Sequence, residues 1–183
     1  HFFLATTEEA IKIRKLNKNA KLYILNGLEG NKIDLFNKFN LIPIINSKEE
    51  INILVKNKYF KKNFKFGIHI ETGLNRLGVD IKDINKNLFK KSNIEILISH
   101  LASSDELQNK YNQLQNIKFK KSFNIFKSIK YKSLSASAGI MNNKKLHHDM
   151  IRPGISLYGG CGNFDLKNKY KIKSVIILKI RVI

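Results

Sequence analysis

Along the chain, short runs of aliphatic and β-branched residues alternate with longer stretches whose apolar residues recur at helical spacing. The short runs predict seven strands, at residues 2–5, 21–25, 41–45, 65–71, 94–99, 132–135 and 149–152. The longer stretches predict helices at residues 6–16, 47–56, 80–91 and 106–129, the last of them long enough to bend or break near Ile117. The segments "TTEE" (6–9) and "SKEE" (47–50) place a hydroxyl before an acidic first turn, which is typical of a helix start.

Strands that alternate with helices in this way predict parallel pairing, in either an open doubly wound sheet or a closed eight-stranded barrel. No G-x-G-x-x-G follows the first strand, which disfavours the dinucleotide-binding form of the open sheet. Seven strands are one fewer than a barrel needs and the chain opens on His1, so we expect a first strand upstream of it. We therefore predict a (β/α)8 TIM barrel lacking its first strand, in residues 1–168.

The final stretch, "KIKSVIILKIRVI", alternates like a strand but follows the last barrel unit. It predicts that residues 169–183 are the start of a truncated C-terminal β-domain. The incomplete barrel would leave two strand edges unpaired, so we expect the isolated chain to self-associate.

Composition narrows the function classes. No apolar run approaches the roughly 18–20 residues that span a bilayer, and the single cysteine, Cys161, excludes an internal disulfide framework. These features predict a cytoplasmic protein without a membrane partner. The net charge of +20 suggests a nucleic-acid-binding protein, but only four of the 34 basic residues are arginines and the lysines are scattered among Asn and Ile. We predict no nucleic-acid partner, and a basic nucleic-acid binder remains the alternative.

Candidate phosphate-binding residues follow the last two predicted strands. In such barrels the chemistry lies at the carboxyl ends of the strands, and phosphates favour the loops after the seventh and eighth. With one strand upstream, "SASAG" (135–139) and "RPGI" (152–155) occupy those positions. The Ser137 hydroxyl and the N–H groups of Gly154 and Ile155 then form a candidate phosphate site. Ordinary helix caps without a ligand are the alternative.

Three further strand ends carry cationic or ring-bearing side chains. Arg76 lies between Gly73 and Gly78 after the 65–71 strand, His100 ends an apolar strand, and Arg152 lies beside the candidate phosphate site. A solvated loop charge at Arg76 and a satisfied polar histidine at His100 are the alternatives. Taken together, the three side chains indicate an anionic, planar cofactor.

The motifs "ETGLNRLG", "SHLASSDE", "SASAG" and "IRPGISLYG", in this order and spacing, resemble those of the fold-type III pyridoxal-phosphate alanine racemases. "FFLATTEEAIKIRK" is similar to that family's second strand and helix, and "LKIRVI" to the entry of its C-terminal β-domain. The resemblance covers essentially the whole chain. "RPGISLYG" and "TGLNRLG" are specific only in combination.

The resemblance implies pyridoxal 5'-phosphate as cofactor, no metal, and roles for six residues. Arg152 would bond the pyridine nitrogen, and His100 would pack on the ring and bond Arg152. Ser137, Gly154 and Ile155 would hold the phosphate. Arg76 would approach the phenolic oxygen of the cofactor and the carboxylate of the substrate. Arg76, His100 and Arg152 are thus the implied catalytic residues.

The implied reaction is interconversion of L-alanine and D-alanine for peptidoglycan synthesis, in a cytoplasmic homodimer. Another amino-acid racemase or a decarboxylase of the same fold, and a non-catalytic pyridoxal-phosphate carrier, are the alternatives. "RPGISLYG" disfavours the decarboxylase, and the strand-like C-terminal segment disfavours the carrier.

The chain departs from the family pattern at identifiable positions. His69 stands where the family usually has a lysine, often carbamylated, that orients the arginine at position 76, and Ala136 stands where Asn is common. The motif ending Tyr-Gly-His-Gly, which carries the family's Schiff-base lysine, does not occur in the chain, nor does the opposing tyrosine of the C-terminal domain. Racemisation needs a base on each face of the α-carbon, so we expect the chain alone to be inactive.

Overall fold

The computed structural model of the protein describes residues 1–30, 32–60, 64–89, 92–126 and 129–181. Its strands are β1 (Phe2–Leu4), β2 (Leu22–Ile24), β3 (Ile42–Ile45), β4 (Lys65–His69), β5 (Asn93–Ile98) and β6 (Tyr131–Ser133). Its α-helices are α1 (Thr7–Leu16), α2 (Ile33–Lys38), α3 (Lys48–Lys56), α4 (Lys86–Phe89), α5 (Lys110–Ser122), α6 (Ser137–Asn142) and α7 (Phe164–Lys169). Short 3₁₀ helices cover Ile81–Asp83, Lys144–Leu146 and Ile155–Tyr158.

The six strands form one sheet in the order of the chain, and every neighbouring pair is parallel. In the described residues β1 and β6 each have a single strand neighbour, so the sheet is open between them. The architecture is a parallel six-stranded half-barrel, which confirms the predicted partial TIM barrel.

Both faces of the sheet are buried. Leu22 and Ile24 of β2 pack into a core shared with the helices, and Tyr23 between them packs on the opposite face with Ile42 and Ile96. Alternate residues of a strand point to opposite faces, so burial on both sides requires an apolar residue at nearly every position. This is why the strands stand out in the sequence as continuous apolar runs.

The predicted helix starts are confirmed for α1 and α3. Thr6 forms a capping box, in which its side chain accepts from Glu9 N and the Glu9 carboxylate accepts from the Thr6 backbone. Ser47 caps α3 by accepting from Glu50 N. Helices α2 and α7 were not predicted.

Two predicted helices differ from the structure. Helix α5 runs unbroken through Ile117, so the predicted break is wrong. The break was expected from the length of the predicted helix, whereas the Asn109 side chain caps α5, which begins at Lys110 and ends at Ser122, and the helix is only 13 residues long. The 80–91 helix is divided into the 3₁₀ turn Ile81–Asp83 and α4, and its last two positions lie outside the described residues.

The predicted strand at 149–152 is reduced to one parallel bridge between Ala136 and Arg152. The N–H groups of Asp149 and Met150 both donate to Lys132 O, so the chain meets β6 obliquely, and Pro153 then offers no N–H. Residues 172–181 form no strand and are largely exposed, and residues 182–183 lie outside the described part.

Candidate functional site

A cavity of about 940 Å³ opens at the carboxyl ends of the strands, beside the gap between β1 and β6. Its lining brings together the three predicted catalytic residues with Gly154, and adds His69 at the end of β4. The remaining walls are mostly apolar, including Phe3, Leu25 and Ile98. The loops after several strands converge here because parallel strands end at one edge of the sheet.

Arg152 is half-buried, and its guanidinium donates only to uncharged groups. Nη1 donates to Ser133 O at 2.8 Å and to Ser133 Oγ at 2.6 Å, and Nη2 donates to Ser99 O at 2.5 Å. The guanidinium also lies 5.9 Å from the centre of the Phe3 ring. Desolvation lowers the pKa of Arg152 to about 10, so the group stays charged at neutral pH. In the described residues none of its hydrogen bonds uses Nε.

The candidate phosphate site is formed by two loops that meet at Ser137. The N–H groups of Gly154 and Ser156 donate to Ser137 Oγ, at 3.0 and 3.2 Å. A Cβ built on Gly154 meets nothing nearer than that oxygen, at 3.9 Å, so the space beside the backbone is open. The sequence predicts Ser137 and Gly154 here but not Ser156, which follows Ile155 in the 3₁₀ turn.

His100 follows β5 and is held from behind by a buried glutamine. Gln115 Nε2 donates to His100 O at 3.0 Å and to Thr72 Oγ1 at 3.2 Å, and its Oε1 accepts from Ala102 N. Burial, followed by the charges of Arg152 and Arg76, lowers the pKa of His100 to about 4. The imidazole is therefore neutral at pH 7. The expected hydrogen bond between His100 and Arg152 is not among those in the described part of the chain.

Arg76 is exposed and lies in the loop that follows β4. The loop returns to its own strand, because Val79 N donates to His69 O at 2.7 Å and Glu71 N donates to Val79 O at 3.0 Å. Its tip is held by Tyr111, whose hydroxyl donates to Gly73 O at 2.9 Å. Among the described residues the Arg76 guanidinium has no hydrogen bond or ion pair, although it borders the cavity.

His69 is only 5% exposed and forms part of the cavity wall. Its Nδ1 lies 3.1 Å from Asn46 Oδ1, whereas its Nε2 is buried without a hydrogen-bond partner in the described structure. Burial, followed by the charges of Arg152, His100 and Arg76, lowers the pKa of His69 to about 3. The sequence marks His69 as a departure from the family pattern, but it does not show that one ring nitrogen is unpaired.

No aspartate or glutamate lines the cavity within the part of the chain that the structure describes. In the same part, no group of three or more His, Cys, Asp or Glu side chains is arranged to hold a metal ion. None of the described helices has the length and apolar character to cross a membrane. A cavity lined by two arginines, without a carboxylate to neutralise them, suits an anionic ligand.

A family model for the N-terminal domain of alanine racemase matches residues 1–161. The chain belongs to the alanine racemase family. Among curated relatives, the alanine racemase of Rickettsia canadensis is 38% identical over 185 residues, covering 97% of this chain and 51% of that protein. The alanine racemase of Rickettsia typhi is 37% identical over 166 residues, covering 87% of this chain and 41% of that protein. The chain spans about half the length of the curated relatives it matches.

Solved alanine racemases have the same fold. The enzyme of Bartonella henselae, whose structure contains covalently bound pyridoxal phosphate, is 30% identical with a TM-score of 0.78, over 86% of this chain and 48% of that one. The biosynthetic enzyme of Pseudomonas aeruginosa is 25% identical with a TM-score of 0.85, over 94% of this chain and 49% of that one.

Proposed function

We propose that the protein containing this chain is a pyridoxal-phosphate-dependent alanine racemase, which interconverts L- and D-alanine. Membership of the family and relatives that bear this name support the proposal. The observation that carries it is the cavity, in which Arg76, His100 and Arg152 come together beside the Ser137 site without a carboxylate among the described lining residues.

The donor set fits the cofactor. The N–H groups of Gly154 and Ser156 both donate to Ser137 Oγ, which leaves the Ser137 O–H to donate outward. The two loops thus gather one hydroxyl and two backbone N–H groups around one point, and a phosphate bound there would take their hydrogen bonds. Ile155 lies in the same turn, and we assign its N–H to the phosphate as well. When bound, pyridoxal phosphate supplies an electron-withdrawing ring that makes the α-proton of an amino acid removable.

Arg152 is the residue that would tune that ring. Its Nη groups are fixed on the carbonyls of Ser99 and Ser133, which leaves Nε–H to donate to the pyridine nitrogen. A guanidinium does not give up its proton at neutral pH, so the ring nitrogen would stay unprotonated. The ring would then withdraw electrons less strongly than one paired with a carboxylic acid, which suits proton exchange without further bond cleavage.

His100 and Arg76 would complete the binding surface. The neutral His100 imidazole can pack on the ring, and the Gln115 network fixes its backbone. The unpaired Arg76 guanidinium can turn toward the substrate carboxylate and the phenolic oxygen of the cofactor. The Schiff-base lysine and opposing tyrosine implied by the resemblance are not in residues 1–183, so we propose that this chain does not racemise alanine by itself.

The remaining proposals concern the whole protein. We place the reaction in peptidoglycan synthesis, in the cytoplasm and in a homodimer. We also propose that residues 1–168 belong to the barrel and residues 169–183 to the start of the C-terminal β-domain. The exposed apolar run from Val175 to Leu178, followed by the exposed Ile180, is consistent with a segment that is covered in a larger protein.

The test uses the complete polypeptide with pyridoxal 5'-phosphate and L-alanine in deuterated water. Exchange of the α-proton, followed by NMR, together with loss of optical activity is the expected result. Cofactor binding without α-proton exchange would refute racemisation of alanine and favour another substrate or a carrier.

A matched pair of variants tests the role of Arg152. Arg14 also donates from a half-buried guanidinium to backbone carbonyls, Phe39 O at 2.9 Å and Lys18 O at 2.8 Å among them, but it lies outside the cavity lining. We expect Arg152→Lys to slow racemisation and change the absorption spectrum of the bound cofactor, whereas Arg14→Lys leaves both unchanged. Equal effects from the two variants would contradict the assignment.

A further inference from the structure

A single side chain of helix α5 joins two of the loops that border the cavity. Gln115 is fully buried, and its Oε1 accepts from Ala102 N at 2.9 Å. A backbone N–H can only donate, so this contact fixes the orientation of the amide and makes Nε2 the donor. Nε2 donates to His100 O at 3.0 Å and to Thr72 Oγ1 at 3.2 Å. Gln115 thus links the loop after β5, which begins at His100, to the loop after β4, which carries Arg76.

The hydrogen bonds continue from Thr72 to the groups that hold Arg152. Thr72 Oγ1 lies 2.7 Å from Ser99 Oγ, and both residues are buried. Ser99 O accepts from Arg152 Nη2, and Ser99 N donates at 3.0 Å to Ser133 O, which accepts from Arg152 Nη1. Hydrogen bonds weaken steeply with distance and angle, so a displacement of Ser99 would displace the Arg152 guanidinium as well.

The polarity of Gln115 is not required to fill the core. Burial of an amide costs free energy unless its hydrogen bonds are made, and an apolar side chain of similar size would occupy the same space without that cost. Phe119, one turn later on the same buried face of α5, does so. The polar atoms of Gln115 instead hold three groups in the two loops, two of them at or next to His100.

We propose that Gln115 is a positioning residue, which holds the loops after β4 and β5 at a fixed spacing and so places His100 and Arg152 for the anionic ligand of the cavity. Gln115 is not among the described residues that line the cavity. It acts through the backbone of His100 and through the contact between Thr72 and Ser99. This inference rests on the proposed function, because the ligand whose affinity it concerns is pyridoxal phosphate.

The first test compares Gln115→Met with Asn112→Leu in the complete polypeptide, using pyridoxal 5'-phosphate as the probe. Asn112 is a matched control, because it is a buried amide of the same helix that donates to Ser103 O and Glu106 O, neither of them in the cavity lining. Both variants replace an amide by an apolar side chain of similar size, so both should lower the free energy of unfolding. Only Gln115→Met should lower the cofactor affinity, by roughly tenfold. Equal losses of affinity would overturn the inference.

Thr72→Val tests the path to Arg152 while Gln115 stays in place. Valine has the shape of threonine without its hydroxyl, so the contacts with Ser99 Oγ and Gln115 Nε2 are both lost. We expect a several-fold loss of cofactor affinity, and the double variant with Gln115→Met should lose no more than Gln115→Met alone. Unchanged affinity in Thr72→Val would refute the path even if Gln115→Met does not fold, and additive losses would refute it as well.

NMR of the ligand-free polypeptide separates this inference from the proposed function. His100 faces Arg152, Arg76 and His69, and burial followed by the charges of the two arginines holds its pKa at about 4. The wild-type ring should therefore stay neutral as the pH is lowered from about 8 to about 5. In Gln115→Met the ring is released toward water and should take up a proton in this range, whereas in Asn112→Leu it should not.

The two failures are distinguishable because this titration needs no ligand. A His100 ring that stays neutral in Gln115→Met refutes the positioning role, whatever the protein binds. A wild type that does not bind pyridoxal 5'-phosphate refutes the proposed function, while the titration of His100 still decides whether Gln115 places it.

Discussion

Replacing Gly78 by alanine should both destabilise the fold and displace the Arg76 loop. Gly78 has a φ of +129°, and a Cβ built on it would lie 2.8 Å from Glu71 N and 2.9 Å from Glu71 Cα. Both obstacles are backbone atoms of the same loop, and Glu71 N already donates to Val79 O. The loop therefore has to move to accept a methyl group.

Gly30 provides the matched control. It also has a positive φ, +73°, but a Cβ there meets nothing within 4 Å. Gly30→Ala should cost about 1 kcal/mol, the price of a left-handed conformation for an L-residue. Gly78→Ala adds a steric clash to a more strained φ, so we expect it to lower the free energy of unfolding by about 4 kcal/mol. Such a loss is a large fraction of the 5–15 kcal/mol that is typical of folding.

The assay is urea unfolding of the complete polypeptide followed by circular dichroism, with cofactor affinity measured in parallel. Gly78→Ala should lower both the free energy of unfolding and the affinity, whereas Gly30→Ala should lower only the first, and slightly. If the two variants lose the same free energy of unfolding, the close approach of Gly78 to Glu71 is not a determinant of the loop, and the reasoning fails.

Three further predictions follow from the described contacts. Stability should fall as the pH is lowered from 6.5 towards 3, because the folded-state pKa of His69 is about 3 and the unfolded chain binds the extra proton in that window. The charged and titratable groups that face the His69 ring are Arg152, His100 and Arg76. Because His69→Gln removes the titrating ring, it should reduce the slope of the free energy of unfolding against pH by up to about 1.4 kcal/mol per pH unit, measured by urea titrations over this pH range. Thr6→Ala removes the capping box of α1 and should lower the free energy of unfolding by about 1 kcal/mol in the same assay. The isolated chain should self-associate through the outer edges of β1 and β6, which pair with no strand in the described residues, and a monomer at high concentration in sedimentation velocity would contradict this.

The strands were predictable because burial on both faces of the sheet produces continuous apolar runs in the sequence, such as "IPII" of β3. The pairing after β6 was not, because it depends on Asp149 and Met150 sharing one carbonyl, and no local pattern encodes that. The break expected at Ile117 followed from a predicted helix that was too long. The Asn109 side chain decides where α5 begins and the helix ends at Ser122, and apolar spacing alone marks neither limit.

The meeting of Ser137, Gly154 and Arg152 at one edge of the sheet was predictable, because it depends only on which residues follow the strands. Which atom of a buried side chain is left without a partner was not predictable. The open Nε2 of His69 follows from Asn46, 23 residues earlier, and the orientation of Asn46 follows from Leu25 on another strand. Three segments that are distant in sequence must meet before that acceptor exists.

The distribution of charge in the sheet supports the same site. Near the amino ends of the strands, Lys21 is paired with Glu95, so the buried carboxylate there is neutralised within the protein. At the carboxyl ends, Arg152 is held by carbonyls and a hydroxyl, and Arg76 has no described partner. Neutral acceptors fix a cation without cancelling its charge, so the positive potential of the cavity is left for a ligand to satisfy. A net charge of +20 spread over the surface would not create this difference. The difference arises from the neutral groups that surround Arg152 and from the absence of a carboxylate among the described residues of the cavity lining.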